Sequence, residues 1–187
     1  VIGTNQNPYS ECDVRSLTDE GGFLARRRTG GGAVYHDLGN LNFSFVADKE
    51  IYDVKRQMTV IQKALLNYGL ETEVSGRNDI TYQGRKFSGN AFAKTKHQGL
   101  HHGTILIKTD GEKLQKYLKV KPAKLHKHGV KSVASRVINL SEVADITSEN
   151  IIPHLIKAFE EVYQGKAKTI DFNELCNDEV VRQSQYI

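Results

Sequence analysis

Three arginines, a threonine and three glycines run together as Arg26-Arg27-Arg28-Thr29-Gly30-Gly31-Gly32, followed by Ala33-Val34-Tyr35-His36-Asp37-Leu38-Gly39-Asn40. Guanidinium groups carry fixed positive charge on a planar fork of donors that suits carboxylate or phosphate. Glycine is costly in extended structure, because it loses the most backbone freedom on folding and packs nothing. Three in a row between apolar segments mark a place where backbone lies directly against a ligand. The competing reading is a glycine-rich hairpin with a solvated basic flank.

Three further blocks carry polar chemistry. In Ser75-Gly76-Arg77-Asn78-Asp79-Ile80, an amide and a carboxylate stand side by side. They suit an adenine amino group or a metal bridging phosphates, and they equally suit an Asx turn at a strand entrance. In Gly84-Arg85-Lys86-Phe87-Ser88-Gly89-Asn90-Ala91, strand alternation predicts Lys86, Ser88 and Asn90 on one face and Phe87 and Ala91 on the other. A lysine so placed is an oxyanion or phosphate clamp, or else a solvated edge charge. The order of residues is not that of a P-loop. In His101-His102-Gly103-Thr104, adjacent histidines on a strand point to opposite faces, so one faces a pocket and they do not share a zinc ion. No serine sits at a nucleophile elbow, and neither cysteine, Cys12 or Cys176, falls inside a block.

The elements that must position these groups follow from periodicity. Asn7-Pro8 opens a helix through about Glu20, and Gly21-Gly22 ends it. Residues 23–28, 33–36 and 41–47 read as strands. Val54, Met58, Ile61 and Leu65 make the apolar stripe of a helix over 52–68, closed by Gly69. Strands are predicted at 71–74, 79–82, 85–95 and 101–108, with turns at Gln83-Gly84 and His97-Gln98-Gly99. Asp110 caps a short helix to Leu118, and a connector with seven Lys or His residues spans Lys119 to Lys131, His126 and His128 among them. A helix over 149–163 carries Ile152, Leu155, Ile156, Phe159 and Val162, and Gly165 stops it. A strand at 169–172 and a helix capped by Asn173 complete the expectation. Strands in meander order with helices between them indicate an α+β fold with a mostly antiparallel sheet covered by helices.

Composition narrows the class. The 187 residues suffice for one domain with a substantial core. Mean hydropathy of −0.47 and the lack of a long apolar run argue against a transmembrane helix. Two cysteines form no zinc or disulfide framework, which with the lack of a visible leader leads to an expectation of a cytoplasmic, reducing compartment. Net charge +4 mildly favours anionic partners, without selecting nucleic acid. The chain opens Val1-Ile2-Gly3, which reads like the tail of a strand, so a piece of a longer protein is expected.

Taken in order, the blocks Arg-Arg-x-Thr-Gly-Gly-Gly-Ala-Val-Tyr-His-Asp-Leu-Gly-Asn, Gly-Arg-Asn-Asp, Arg-Lys-Phe-Ser-Gly-Asn-Ala, His-His-Gly-Thr and Lys131-Ser132-Val133-Ala134-Ser135-Arg136-Val137 closely resemble the lipoate–protein ligase A family. The resemblance runs from Val1 to about Ile187. It implies the class II aminoacyl-tRNA synthetase/biotin ligase-like catalytic fold, with a curved sheet. It also implies joining of lipoate to ATP as lipoyl-AMP, then transfer to a lysine of lipoyl domains of 2-oxoacid dehydrogenase complexes or of glycine-cleavage H protein. By motif position, Arg27, Thr29, Gly30, Gly31, Gly32, His36 and His102 line the lipoyl pocket. Val34, Tyr35, Asn40, Asn78, Asp79, Gly103 and Thr104 hold the adenylate, and Lys86 is the catalytic cation. Magnesium comes with ATP, Asp79 being its candidate ligand, and no tightly bound metal, nucleic acid or membrane partner is expected.

Against the full family pattern, the chain lacks the N-terminal strands and first helix and the C-terminal accessory domain, so residues 1–187 are expected to be a catalytic-domain fragment. Ala93 is apolar where some relatives carry arginine. Rival readings are an ATP-independent lipoyl or octanoyl transferase of the same fold, which forms a thioester on cysteine, a nucleic-acid-binding module, and a non-catalytic carrier-binding module. The first lacks a cysteine near any block; the second lacks aromatics interleaved with its basic run.

Overall fold

The structure, a computed structural model, describes residues 1–119 and 136–171. Its strands are β1 (Asn40–Asp48), β2 (Glu73–Ser75), β3 (Asp79–Tyr82), β4 (Arg85–Lys94) and β5 (Gln98–Leu106). They form one antiparallel sheet in the order β1-β5-β4-β3-β2. The helices are α1 (Pro8–Glu11), α2 (Val14–Asp19), α3 (Val54–Leu66), α4 (Gly111–Tyr117) and α5 (Ile151–Tyr163). No helix among the described residues is long and apolar enough to cross a membrane.

One face of the sheet is covered by α3 and α5. Strict alternation in β1 turns Leu41, Phe43 and Phe45 to this side and Asn42, Ser44 and Val46 away. On α3, Met58, Val60, Ile61, Ala64 and Leu65 are buried, and Asp53 caps the helix by accepting from the Arg56 amide at 3.1 Å. Val60 and Ala64 pack on Ala158 of α5, while Lys63 and Glu161 pair at 2.8 Å beside them. Ile61, Leu65, Ile80, Phe87, Ile105, Leu140 and Ile151 form the centre of the core. Truncation of such a residue, Leu65→Ala for example, costs about 2–5 kcal/mol.

The sheet also buries a polar chain. His101 is fully buried among Phe43, Phe45 and Phe92, with Nε2 2.8 Å from Asn90 Oδ1 and Nδ1 3.0 Å from the Gln57 amide. Asn90 Nδ2 donates to the Asn78 carbonyl at 3.1 Å, which fixes its oxygen toward His101. Gln57 Oε1 and Asn90 Oδ1 thus face the two ring nitrogens, and the neutral ring donates to one of them.

Several elements differ from the sequence expectation. The helix over 7–20 is two helices: Cys12 is extended and bridges to Leu118, and Asp13 caps α2 by accepting from Ser16 N at 3.2 Å. Residues 23–28 and 33–36 do not join the sheet. They run extended against the chain start, where Ile2 bridges Arg26 and Val1 and Val34 exchange backbone hydrogen bonds at 2.8 and 2.9 Å. Residues 169–171 form no strand, while Phe172, the Asn173 helix and the connector beyond Lys119 lie outside the described residues.

Candidate active site

The alternation predicted for β4 fails at one residue. Ile80 pairs with Ser88 and Thr81 with Lys86, so Phe87 is the extra residue of a β-bulge. Phe87 and Ser88 both turn into the core, and Ser88 and Asn90 share that side, linked at 3.3 Å. Lys86 instead shares the other face with Gly89. This corrects the expectation that Lys86, Ser88 and Asn90 are neighbours on one face.

On the face away from α3 and α5, the Lys86 ammonium lies 2.7 Å from Asp79 Oδ1, both side chains about one-third exposed. Asp79 sits opposite Gly89 across the strand pair, and the Gly89 amide donates to Thr104 Oγ1 at 3.3 Å. Alternation along β5 sets His102 on the same face as Thr104. His102 Nε2 meets the hydroxyl of buried Thr29 at 2.5 Å, which ties the glycine loop to the sheet. Burial first, then the charge of Arg27, hold the His102 imidazole below its ordinary value of 6.5, favouring the neutral ring.

Two of the three arginines bond to backbone carbonyls. Arg27 Nη2 donates to the carbonyls of Gly30 at 2.7 Å and Gly32 at 2.9 Å, and Nε to Thr29 Oγ1 at 3.1 Å. Arg26 Nη1 holds the carbonyls of Gly3, Thr4 and Gln6. Both guanidiniums shape the loop. Arg28 is exposed and has no hydrogen-bond or ion-pair partner among the described residues. With the loop carbonyls drawn to Arg27, the amides of Gly30, Gly31 and Gly32 have no protein acceptor among the described residues. These amides are left without a partner in the loop, and the Glu11 carboxylate stands 3.2 Å from where a Cβ on Gly32 would be. Gly31 adopts φ +98°, and a Cβ there would stand 2.8 Å from Arg27 Nη2, so the turn requires glycine.

The remaining candidates scatter around this centre. His36 is half-buried, its Nε2 has no hydrogen-bond partner among the described residues, and burial followed by the charges of the amino terminus and Arg27 lowers its pKa. Val34 is held through its backbone by Val1, and Tyr35 packs on Tyr117 with ring centres 5.6 Å apart. Asn40 Nδ2 donates to Asn42 Oδ1 at 3.1 Å on the same face as Thr104. Among the described residues no backbone amide donates to Asn78 Oδ1, so no Asx turn is closed there, while its amide nitrogen donates across to the Asn90 carbonyl at 3.2 Å. That leaves its carbonyl oxygen able to accept an amino group. Gly103 is not brought to this face: a Cβ there would stand 2.5 Å from Asn90 Oδ1 and 2.6 Å from Phe43, so its smallness serves the core.

Sequence reasoning missed Asn42, which pairs with Thr104 across β1 and β5, and Gly89. The Asn-Leu-Asn alternation of residues 40–42 was a signal for the first. Arg85 donates to the Val137 carbonyl at 3.0 and 2.8 Å and pairs with Glu142 at 3.5 Å. Val137 also bridges Lys86 in parallel, so Arg85 fastens residues 137–142 to the edge of β4. For a metal, among the described residues no three His, Cys, Asp or Glu side chains converge, and Asp79 offers a single carboxylate already met by Lys86. Those residues do not fit a resident ion.

Beside the loop, a cavity of about 330 Å³ is lined by Leu17, Leu24, Tyr35, His36, Tyr117 and Leu118 among others. A larger, open cleft at Glu50–Arg56 and Lys94 touches none of the candidate site residues.

The model of the lipoyl protein ligase A/B catalytic domain family matches residues 1–160. Lipoate-protein ligase A of Bdellovibrio bacteriovorus is 46% identical over 173 residues, covering 90% of this chain and 51% of that protein. The chain spans about half the length of the curated relatives it matches. P. falciparum LipL1, solved in complex with lipoate, superposes with a TM-score of 0.80 and 39% identity over 97% of this chain and 54% of that one. A lipoate-protein ligase A bound with ATP gives a TM-score of 0.80 at 30% identity, over 97% and 75% of the respective chains. Sequence blocks, sheet order and these likenesses agree: the chain belongs to the lipoyl protein ligase A/B catalytic domain family.

Proposed function

We propose that this chain is the catalytic part of an ATP-dependent lipoate–protein ligase. In the first half-reaction a lipoate carboxylate oxygen attacks the α-phosphorus of ATP. The bond to the bridging oxygen of the β-phosphate breaks, and pyrophosphate leaves. In the second, a neutral lysine amine of a lipoyl domain or of H protein attacks the acyl carbon of lipoyl-AMP. The C–O bond to AMP breaks, AMP leaves, and the nitrogen loses its proton to solvent. Magnesium belongs to this scheme as the counter-ion of the nucleotide substrate, with Asp79 as its candidate protein contact.

The observation that carries the reading is a single juxtaposition. Lys86, Asp79 and Thr104 stand on the same sheet face as His102, and His102 anchors the glycine loop through Thr29. Carboxylate and α-phosphate repel as they approach, and a preorganised ammonium between them offsets that repulsion. Amides of Gly30–Gly32 can approach both anions where a side chain would block them. Neutral His102 adds a donor or acceptor without adding charge.

The thioester alternative lacks a suitable thiol among the described residues. Cys12 is buried, and burial raises its pKa, which disfavours the nucleophilic thiolate. The test is to mix the protein with lipoate, MgATP and a lipoyl domain. The expected result is an acceptor heavier by one lipoyl group, with one pyrophosphate released per transfer. Lipoylation without ATP would establish the transferase instead, and no mass change from lipoyl-AMP would leave a binding module.

A further inference from the structure

We infer that Gly89 is a positioning residue for Lys86, an inference that rests on the ligase reading for its kinetic consequence. Gly89 does not adopt the left-handed conformation that usually explains a glycine. Its absent side chain is explained by a neighbour instead. A Cβ on Gly89 would stand 2.9 Å from Lys86 Nζ and 3.0 Å from Lys86 Cε, and 3.9 Å from Thr104 Oγ1. The last two atoms of the lysine therefore lie flat over the Gly89 Cα.

Three features make this seat. The bulge at Phe87 puts Lys86 and Gly89 on one face, although they are three residues apart. Asp79 lies opposite Gly89 in the next strand and draws the ammonium across at 2.7 Å. The Gly89 amide is held by Thr104 Oγ1, so the strand cannot drop away to make room. Only the lysine can yield. Its flexible end gives way at little cost to the fold, which makes Gly89 a determinant of where the ammonium sits rather than of stability.

The test uses Gly89→Ala, Lys86→Ala and the double variant. Gly89→Ala is expected to keep the wild-type thermal midpoint. Its turnover in both half-reactions falls by on the order of 10- to 100-fold, the size of effect that follows from displacing a reacting group by about 1 Å, while KM for lipoate and ATP changes little. In the Lys86→Ala background the same change causes no further loss, which a general structural defect would not produce. A second readout needs no activity. Acylation of Lys86 by an amine-reactive reagent, followed by peptide mass spectrometry, rises about two- to fivefold in Gly89→Ala as the ion pair with Asp79 is released. Unchanged labelling with unchanged turnover overturns the inference. So does an additive loss in the Lys86→Ala background, or a Gly89→Ala protein that does not fold. If the wild type ligates no lipoate, the ligase reading fails, and labelling alone still decides the seat.

Discussion

The hydroxyl of Thr29 and Nε2 of His102 meet at 2.5 Å across 73 residues of chain. This bond joins two parts of the site that have different origins: a loop shaped by its own arginine and a strand fixed by its neighbours in the sheet. Thr29 also accepts from Arg27 Nε, so one hydroxyl links sheet, loop and guanidinium. Thr29→Val keeps the shape and removes the oxygen, leaving two polar partners unsatisfied at about 1–3 kcal/mol. The expected outcome is a lowered unfolding midpoint and faster hydrogen exchange at Gly30–Gly32. Unchanged exchange would mean that the loop is held by Arg27 alone.

Gly31→Val tests the loop from the other side. A β-branched residue at φ +98° is strained by roughly 1–3 kcal/mol and would press on Arg27 Nη2. Lipoate binding, read by calorimetry, should be abolished while the far-ultraviolet circular dichroism of the sheet is retained. A folded variant that binds lipoate normally would remove the glycine loop from the site.

Lys86→Ala should slow adenylation and transfer from supplied lipoyl-AMP alike, by about 3–4 kcal/mol in each barrier or two to three orders of magnitude in rate. Lys86→Arg should recover only part, since a planar fork does not replace a compact ammonium over Gly89. Arg85→Ala behaves differently. Its loss frees the Val137 carbonyl and Glu142, so the variant should lose stability first and activity only as a consequence. A transfer rate lost with Lys86→Ala but adenylation intact would confine the lysine to one half-reaction.

Much of this was legible because the relevant signals are periodic. Apolar alternation in residues 41–47 and the spacing of Val54, Met58, Ile61 and Leu65 gave β1 and α3 nearly to their ends. The glycine loop was legible as a loop, but not its internal bonding: a guanidinium donates equally well to a ligand carboxylate and to a backbone carbonyl, and composition does not choose between them. The bulge at Phe87 was invisible for a related reason. Adding one residue shifts alternation without altering any residue type, so Lys86 was set beside Ser88 and Asn90 when it faces away from both. At Gly103, Phe43 and Asn90 leave no room for a Cβ, a crowding across strands that residue type alone does not announce.

His101 gives the fold a pH dependence. Burial first, then the charge of His102, push its pKa down to about 4 from the ordinary 6.5. The unfolded chain therefore binds the proton more readily than the folded one. The neutral ring's contribution is complete above pH 6.5 and is lost as pH falls toward 4, in total roughly 3 kcal/mol. Urea unfolding at pH 7 and pH 4.5 should show this fall in the wild type. In His101→Gln the slope should be shallower, with lower stability at pH 7. Equal slopes would assign the effect to other groups.

Lipoate and ATP are expected to occupy adjoining parts of one site between the glycine loop and Lys86. The direct measurement is calorimetric titration of the protein with a non-hydrolysable sulfamoyl analogue of lipoyl-AMP, repeated in the presence of lipoate and of ATP. One analogue should bind per chain, each substrate should displace it competitively, and Gly31→Val should abolish the binding. An analogue that fails to bind, or that lipoate and ATP leave undisturbed, would mean that the two substrates do not share a site there.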